Sequence, residues 1–146
     1  MKVSRSFRAL AVAIPATAAA VLGMAPLAHA DAGPYCLDSQ KNCGVFFYNS
    51  GLSGSFTAFR GTSVSNLAGY TFLTSGAGKG VAVKNNAASF SNQSIDNIAT
   101  VFFNSGYSGA CDTFAPLTAA DRLHNTYNEN ASMGFARSGT NCYKWN

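Results

Sequence analysis

Histidine, serine and carboxylate side chains are the ones that could carry catalysis in this chain, and their pattern gives little support for it. His124 is the only histidine after residue 30. A serine nucleophile would need His124 as its base, and no Gly-x-Ser-x-Gly turn accompanies it. Hydrolysis by paired carboxylates needs two acids in one cleft, and the six available acids have no informative context: Asp31, Asp38, Asp96, Asp112, Asp121 and Glu129. We therefore predict that the protein is not an enzyme and assign no catalytic residue.

The first thirty residues predict a secretory signal peptide. A basic start is followed by an apolar run and then by Ala28-His29-Ala30, which matches a small-x-small cleavage site before Asp31. A transmembrane anchor is the alternative, but the apolar run is short and polar sequence follows it. We expect residues 31–146 to be a single secreted, extracellular domain with no membrane partner.

The remaining charge does not predict a nucleic-acid surface. Three of the ten Lys and Arg residues lie in the leader, so seven remain against six acidic residues. These seven are scattered along the chain and form no basic patch. We expect no nucleic-acid partner and a monomeric protein.

One stretch of the chain occurs twice. Residues 47–54 read Phe-Tyr-Asn-Ser-Gly-Leu-Ser-Gly, and residues 102–109 read Phe-Phe-Asn-Ser-Gly-Tyr-Ser-Gly. Asparagine-rich runs follow each copy at residues 85–89 and 128–132, and the second copy is the shorter one between its turn and this run. Two copies are too few for a solenoid, so the repeat indicates one domain built by duplicating a small β unit.

Runs of valine and aromatic residues predict strands along the domain, and no long segment has helical periodicity. The expected strands are 44–48, 55–60, 81–84, 98–103, 110–114, 134–137 and 141–145. The glycines from Gly76 to Gly80 predict a hairpin turn, because a phosphate-binding loop needs another spacing and a hydroxyl residue. One helical turn is expected at 116–122, capped by Thr118. We assign the all-β class.

Four cysteines follow the leader, and an even number in a short secreted chain predicts two disulfides. They are Cys36, Cys43, Cys111 and Cys142. Three pairings exist, and we favour Cys36 with Cys43 and Cys111 with Cys142, which keeps each bridge within one copy of the repeat. A zinc site is the alternative, but there is no Cys-x-x-Cys pair and only one histidine.

Together these features resemble βγ-crystallin domains. The second turn fits the pattern aromatic, four residues, aromatic, one residue, glycine, with Phe102, Tyr107 and Gly109. Each turn is followed by a run similar to Asn/Asp-Asn/Asp-x-x-Ser/Thr, with glutamate at the second position of the second run. The cysteine-bounded lead-in before Val45 is similar to that of secreted bacterial βγ-crystallin-like proteins grouped as a peptidase inhibitor family, typified by a microbial metalloproteinase inhibitor. The resemblance implies a disulfide-stapled domain of two Greek-key motifs, at about residues 43–91 and 98–145.

The resemblance implies inhibition of an extracellular peptidase, with metalloproteases among the targets. An inhibitor needs a rigid loop, because preorganisation limits the entropy lost on binding. The candidate loops are the lead-in 36–43 and the segment 61–79, which the second copy lacks. No reactive site of the family aligns with this sequence, so the inhibitory reactive site is unassigned.

The family pattern also implies calcium ligands: Asn85, Asn86, Ser89, Asn128, Glu129 and Ser132. Only one of the six is charged, so we expect a weak site with a Kd of about 10⁻⁴–10⁻³ M. The alternative is that the asparagines only form β-turns. The sequence departs from the pattern at Leu52, which replaces an aromatic residue, and at Phe90 and Met133, which follow the two serines. Calcium is the only cofactor considered, and none is expected to be required.

A third hypothesis is a secreted toxin, antifungal or cell-wall-binding protein, which other small domains of this fold class suggest. Its candidate residues are Tyr107, Tyr143 and Trp145, whose rings could stack on sugars. The alternative for all three is packing within the domain or along a strand edge.

Overall fold

A computed structural model describes residues 31–37 and 41–146, which form nine strands and no helix. The predicted signal peptide, residues 1–30, lies outside the described residues. Within the described ranges no helix is long and apolar enough to cross a bilayer. The strands are β1 (Asp31–Gly33), β2 (Cys43–Asn49), β3 (Ser53–Arg60), β4 (Ser89–Asn92), β5 (Ala99–Asn104), β6 (Ser108–Phe114), β7 (Ala119–Ala120), β8 (Ser132–Phe135) and β9 (Cys142–Trp145).

The strands form two sheets that follow the repeat. One sheet has the order β1-β3-β2-β4-β7 and the other has the order β8-β5-β6-β9. In each copy a tight hairpin joins the first two strands, β2 with β3 and β5 with β6. All neighbouring strands are antiparallel except β6 and β9, which are parallel. The all-β prediction is confirmed.

Each copy also contributes a short segment to the sheet of the other copy. β7 comes from the second copy and pairs with β4, so that Ala120 lies opposite Phe90. Val64 comes from the first copy and bridges Met133 of β8. The two exchanges correspond to each other in the repeat, which gives the domain a pseudo-two-fold symmetry and makes each copy a Greek-key motif.

The core lies between the two sheets and is mainly aromatic. Phe46, Phe59 and Phe90 from the first sheet and Phe114 from the second are fully buried in one cluster. The Phe46 ring meets Phe59 edge to face with centroids 5.7 Å apart, and the rings of Phe90 and Phe114 are 4.8 Å apart. Burying one such side chain contributes about 1.5–3 kcal/mol.

Two predicted elements differ in the structure. The helical turn expected at 116–122 is wrong, because Ala119–Ala120 is extended as β7 and the Thr118 hydroxyl donates back to the Ala115 carbonyl at 2.8 Å. The backbone N–H and C=O groups of this segment form hydrogen bonds with β4, a pairing that local helix propensity does not reveal. The strand expected at 81–84 is reduced to one bridge, between Thr71 and Ala82.

Two disulfides attach neighbouring segments to the two sheets. Cys36 is bonded to Cys43 and Cys111 to Cys142, which is the pairing favoured from the sequence. The second bridge joins β6 to β9 and so fixes the parallel C-terminal strand along the edge of its sheet. The first bridge joins the start of β2 to the segment that follows β1.

Candidate functional site

The two serines proposed as calcium ligands hold the hairpin turns. The Ser89 hydroxyl donates to the Asn49 carbonyl at 2.6 Å and accepts a hydrogen bond from the Leu52 amide at 3.2 Å. Ser132 makes the same two bonds to the second turn, at 2.6 and 3.1 Å. Both serines are fully buried, so their hydroxyls have a structural role that accounts for their place in the pattern.

The two asparagine-rich runs bind each other across the pseudo-two-fold axis. The Asn85 amide donates to the Asn130 carbonyl at 2.8 Å, and the Asn128 amide donates to the Ala87 carbonyl at 3.0 Å. Asn85 and Asn128 have φ angles of 61° and 53°, which asparagine tolerates better than most residues. Turn formation and motif docking therefore explain the asparagines without a metal.

A polar cavity of about 190 Å³ lies beside the first hairpin. Side chains that could offer oxygen ligands come from both motifs, namely Asn49, Ser50, Asn86 and Asn128. No carboxylate lines it, so a calcium ion there would have only neutral ligands, and the affinity would lie at the weak end, at about 10⁻³ M.

The corresponding place beside the second hairpin holds a lysine ammonium group. In the repeat Ser105 is the counterpart of Ser50, and Lys84 is the counterpart of Tyr127. The Lys84 Nζ lies 3.1 Å from the Ser105 hydroxyl and 3.1 Å from Asn66 Oδ1. A divalent cation at this position would be repelled by the ammonium group. The ammonium group therefore disfavours calcium beside the second hairpin, and Glu129, the counterpart of Asn86 in the repeat, is exposed.

The six calcium candidates are thus not brought together as one ligand set. Asn86 and Asn128 share the first-motif cavity, while the two serines are committed to the turns. Among residues 31–37 and 41–146 there is also no group of three or more His, Cys, Asp or Glu side chains placed to hold a metal.

The largest difference between the motifs is an insertion in the first one, residues 68–84. The second motif has only residues 124–127 at the corresponding place, because Leu67 and Leu123 occupy equivalent positions and make equivalent bonds, each donating its amide to the other motif at 2.9 Å. The insertion folds back on itself as a hairpin, with the Phe72 amide donating to the Val81 carbonyl at 2.9 Å.

The insertion is fixed along the outer edge of β3. The Ser55 amide donates to the Ala77 carbonyl at 2.8 Å, and the Phe56 amide donates to the Thr74 hydroxyl at 2.8 Å. Gly78 lies against the ring of Tyr48, where an added Cβ would be 2.1 Å from a ring carbon. This hairpin is therefore rigid although its tip lies at the surface.

The other candidate loop is the lead-in 36–43, of which residues 38–40 lie outside the described residues. Leu37 on its described part is 53% exposed, and Tyr35 just before it is 66% exposed. They are the most exposed large apolar side chains near the first disulfide.

One acidic residue has a role that the sequence did not reveal. Asp112 is fully buried in β6, and its carboxylate accepts five hydrogen bonds. The donors are the backbone amides of His124, Asn125 and Thr126, the Thr126 hydroxyl and Trp145 Nε1, at 2.7 to 3.2 Å. The signal that could have identified it is its position two residues before Phe114, which turns both side chains to the same face of the strand.

His124 is not paired with a serine. Its Nδ1 lies 2.9 Å from Asn125 Oδ1, and its ring is stacked on Tyr143 with centroids 4.2 Å apart. Of the aromatic residues considered for sugar binding, Tyr107 packs edge to face on the buried Phe102. Tyr143 is 41% exposed and Trp145 is half-buried, so these two lie together at the surface of β9.

Comparison with known proteins supports the fold and nothing finer. No protein-family model and no curated protein matches the chain. A solved structure described as "Evolution of the eye lens beta-gamma-crystallin domain fold" aligns with a TM-score of 0.56 and 11% identity, over 75% of this chain and 99% of that one. A beta gamma crystallin from Ciona intestinalis aligns with a TM-score of 0.47 and 16% identity, over 63% and 96% of the two chains. With the exchanged strands described above, the first alignment shows that the chain has the βγ-crystallin fold.

Proposed function

From this βγ-crystallin fold, we propose that the protein is a secreted inhibitor of an extracellular peptidase and that the insertion 68–84 is its contact loop. The observation that carries the proposal is the way the insertion is fixed: a hairpin present in only one motif is hydrogen-bonded along β3 and packed by Gly78 on Tyr48. A duplicated scaffold does not need this addition for its own pairing, since the second motif closes with four residues.

Rigidity is what distinguishes an inhibitory loop from a substrate loop. Ordering a flexible side chain at an interface costs about 0.5–1.5 kcal/mol, and a loop that is already ordered avoids much of this cost. The insertion also exposes side chains that a peptidase cleft can accept. Leu73 is 41% exposed, and Lys79 is exposed near the tip of the hairpin.

The test is a titration of the purified, oxidised protein against a thermolysin-type metalloprotease and a subtilisin-type serine protease. We expect stoichiometric inhibition of one of them. Exchanging residues 68–84 for the sequence of residues 124–127 should abolish it, and Leu73→Ala with Lys79→Ala should weaken it at least tenfold. Leu37→Ala in the lead-in is the matched control, because Leu37 is also an exposed leucine, at 53%, and lies outside the insertion.

The outcomes separate the function from the loop. If neither protease is slowed at micromolar concentrations, inhibition of these two classes is wrong. If inhibition persists in the exchanged variant and is lost in Leu37→Ala, the protein is an inhibitor that acts through the lead-in. Circular dichroism of each variant must show the β-sheet spectrum of the parent before its inhibition is compared.

A weak calcium site is a second candidate, and only in the cavity beside the first hairpin. What supports it is the four amide and hydroxyl side chains that line the cavity. The two functions are compatible. Calorimetric titration with calcium chloride would test this site, and no heat of binding at millimolar calcium would rule it out.

A further inference from the structure

A concave surface on the second motif is distinct from both candidate loops. It has a volume of about 340 Å³ and is lined by Arg122, Leu123, His124, Tyr127 and Trp145. We call it the aromatic groove. Its size is at the lower end of the ~300–1,000 Å³ that is typical of small-molecule sites.

Trp145 lines the groove, and Tyr143 packs beside it from outside the lining. Tyr143 and Trp145 alternate along β9 and so share one face of the strand, with ring centroids 4.8 Å apart. Trp145 stacks on the buried Phe114 at an interplanar angle of 8°, and its Nε1 donates to Asp112 at 3.1 Å. Tyr143 extends the surface by stacking on His124. The result is a fixed aromatic platform.

The other side of the groove carries an unbalanced positive charge. The Arg122 guanidinium lies 4.3 Å from the centroid of the Tyr127 ring, which orients it without using its N–H donors. No carboxylate lines the groove. The nearby Asp112 is buried, and its oxygens are occupied by five donors from the protein. The donors of Arg122 are therefore available to a ligand.

We propose that the aromatic groove binds an oligosaccharide that carries carboxylate groups. The C–H faces of pyranose rings pack on aromatic side chains as other apolar surfaces do, and the platform of Tyr143 and Trp145 offers such a surface. A guanidinium group matches a carboxylate with two parallel hydrogen bonds. The charge of Arg122 therefore favours an acidic sugar over a neutral one. This inference is independent of the peptidase inhibitor proposal.

Trp145 is the only tryptophan of the chain, so its fluorescence reports directly on the groove. The experiment titrates the oxidised protein, in calcium-free buffer, with a trimer of galacturonic acid and with the same trimer after methyl esterification. We expect a saturable fluorescence change with the acid and at least tenfold weaker binding of the ester. Arg122→Gln should weaken binding of the acid at least tenfold. Arg137→Gln is the matched control, because Arg137 lies over the Tyr107 ring at the same 4.3 Å outside the groove.

Each result decides part of the proposal. No fluorescence change with either trimer at 10 mM, together with unchanged amide NMR shifts at residues 122–127 and 143–145, overturns it. Equal affinity for acid and ester overturns the requirement for a carboxylate. An equal loss of affinity in Arg122→Gln and Arg137→Gln would show attraction by net charge alone and would also overturn it. We expect the affinity for the acidic trimer to fall as salt is added, because the contact with Arg122 is ionic.

Discussion

Replacing Asp112 by asparagine, a side chain of nearly the same shape, should strongly destabilise the protein. In the parent protein the amide of His124 and Trp145 Nε1 donate to Oδ1 of Asp112, and asparagine keeps this acceptor oxygen. In the parent protein the backbone amides of Asn125 and Thr126 donate to Oδ2. The amide nitrogen of asparagine would replace Oδ2 and cannot accept these hydrogen bonds. Two backbone donors therefore lose their partner, and the amide of Thr126 is fully buried.

The magnitude follows from these losses. An unsatisfied buried donor costs about 1–3 kcal/mol, and hydrogen bonds to a charged group are worth more than neutral ones. With two such donors and the charge lost, we expect the free energy of unfolding to fall by about 3–5 kcal/mol. The matched control is Thr57→Val at the equivalent position of the first motif, where the fully buried hydroxyl donates to the Thr71 carbonyl at 2.8 Å and accepts from the Leu73 amide at 3.1 Å. We expect about 1–2 kcal/mol there.

The assay is equilibrium unfolding in urea with the disulfides intact, followed by Trp145 fluorescence and by circular dichroism. With a slope of about 2 kcal/mol per molar urea, Asp112→Asn should lower the midpoint by about 2 M. A loss below about 1 kcal/mol, or one no larger than that of Thr57→Val, would refute the reasoning. It would mean that the loop 124–126 keeps its hydrogen bonds by another route.

Three further predictions concern other parts of the domain. Ser89→Ala and Ser132→Ala should each lower the free energy of unfolding by about 1–3 kcal/mol and by similar amounts, because each fully buried hydroxyl holds one hairpin turn. Urea unfolding measures both losses, and a large difference between them would contradict the pseudo-two-fold symmetry. Gly78→Ala should lower the melting temperature more than Gly61→Ala, since both have positive φ but only the first would clash with a ring; equal losses would show that the insertion is loose. Lys84→Ala should increase calcium binding measured by calorimetry, and an unchanged isotherm would show that its ammonium group does not block the second motif.

The repeat in the sequence predicted the hairpins, because turn residues and aromatic strands are local signals. Gly51 and Gly106 have φ angles of 73° and 75°, and each follows Asn-Ser in its copy of the repeat. The strand exchange was not predictable in the same way. β7 has only two residues, too few to show a period of two, and its pairing with β4 depends on contacts far apart in the sequence.

The candidate site was predictable only in part. The asparagine-rich runs were identified, but the family pattern did not show that a lysine fills one of the two equivalent places. Lys84 lies just before the asparagine-rich run, at the end of the insertion. Its hydrogen bond goes to Asn66 Oδ1, near the exchanged residue Val64 and 18 residues earlier in the chain. For Asp112 the spacing from Phe114 could indicate burial but not the hydrogen bonds, since its donors come from a loop and from β9.

The strand exchange also determines how the protein can fold. Each sheet is completed at one edge by a short segment of the other motif, β7 beside β4 and Val64 beside Met133, so neither sheet is complete before both halves have been synthesised and have met. Folding should therefore be a single cooperative event without a stable half-folded intermediate. Because its decisive pairings close long loops, we expect it to proceed in milliseconds to seconds rather than microseconds. Neither motif produced alone is therefore expected to fold stably, although the two motifs arose as copies of one unit.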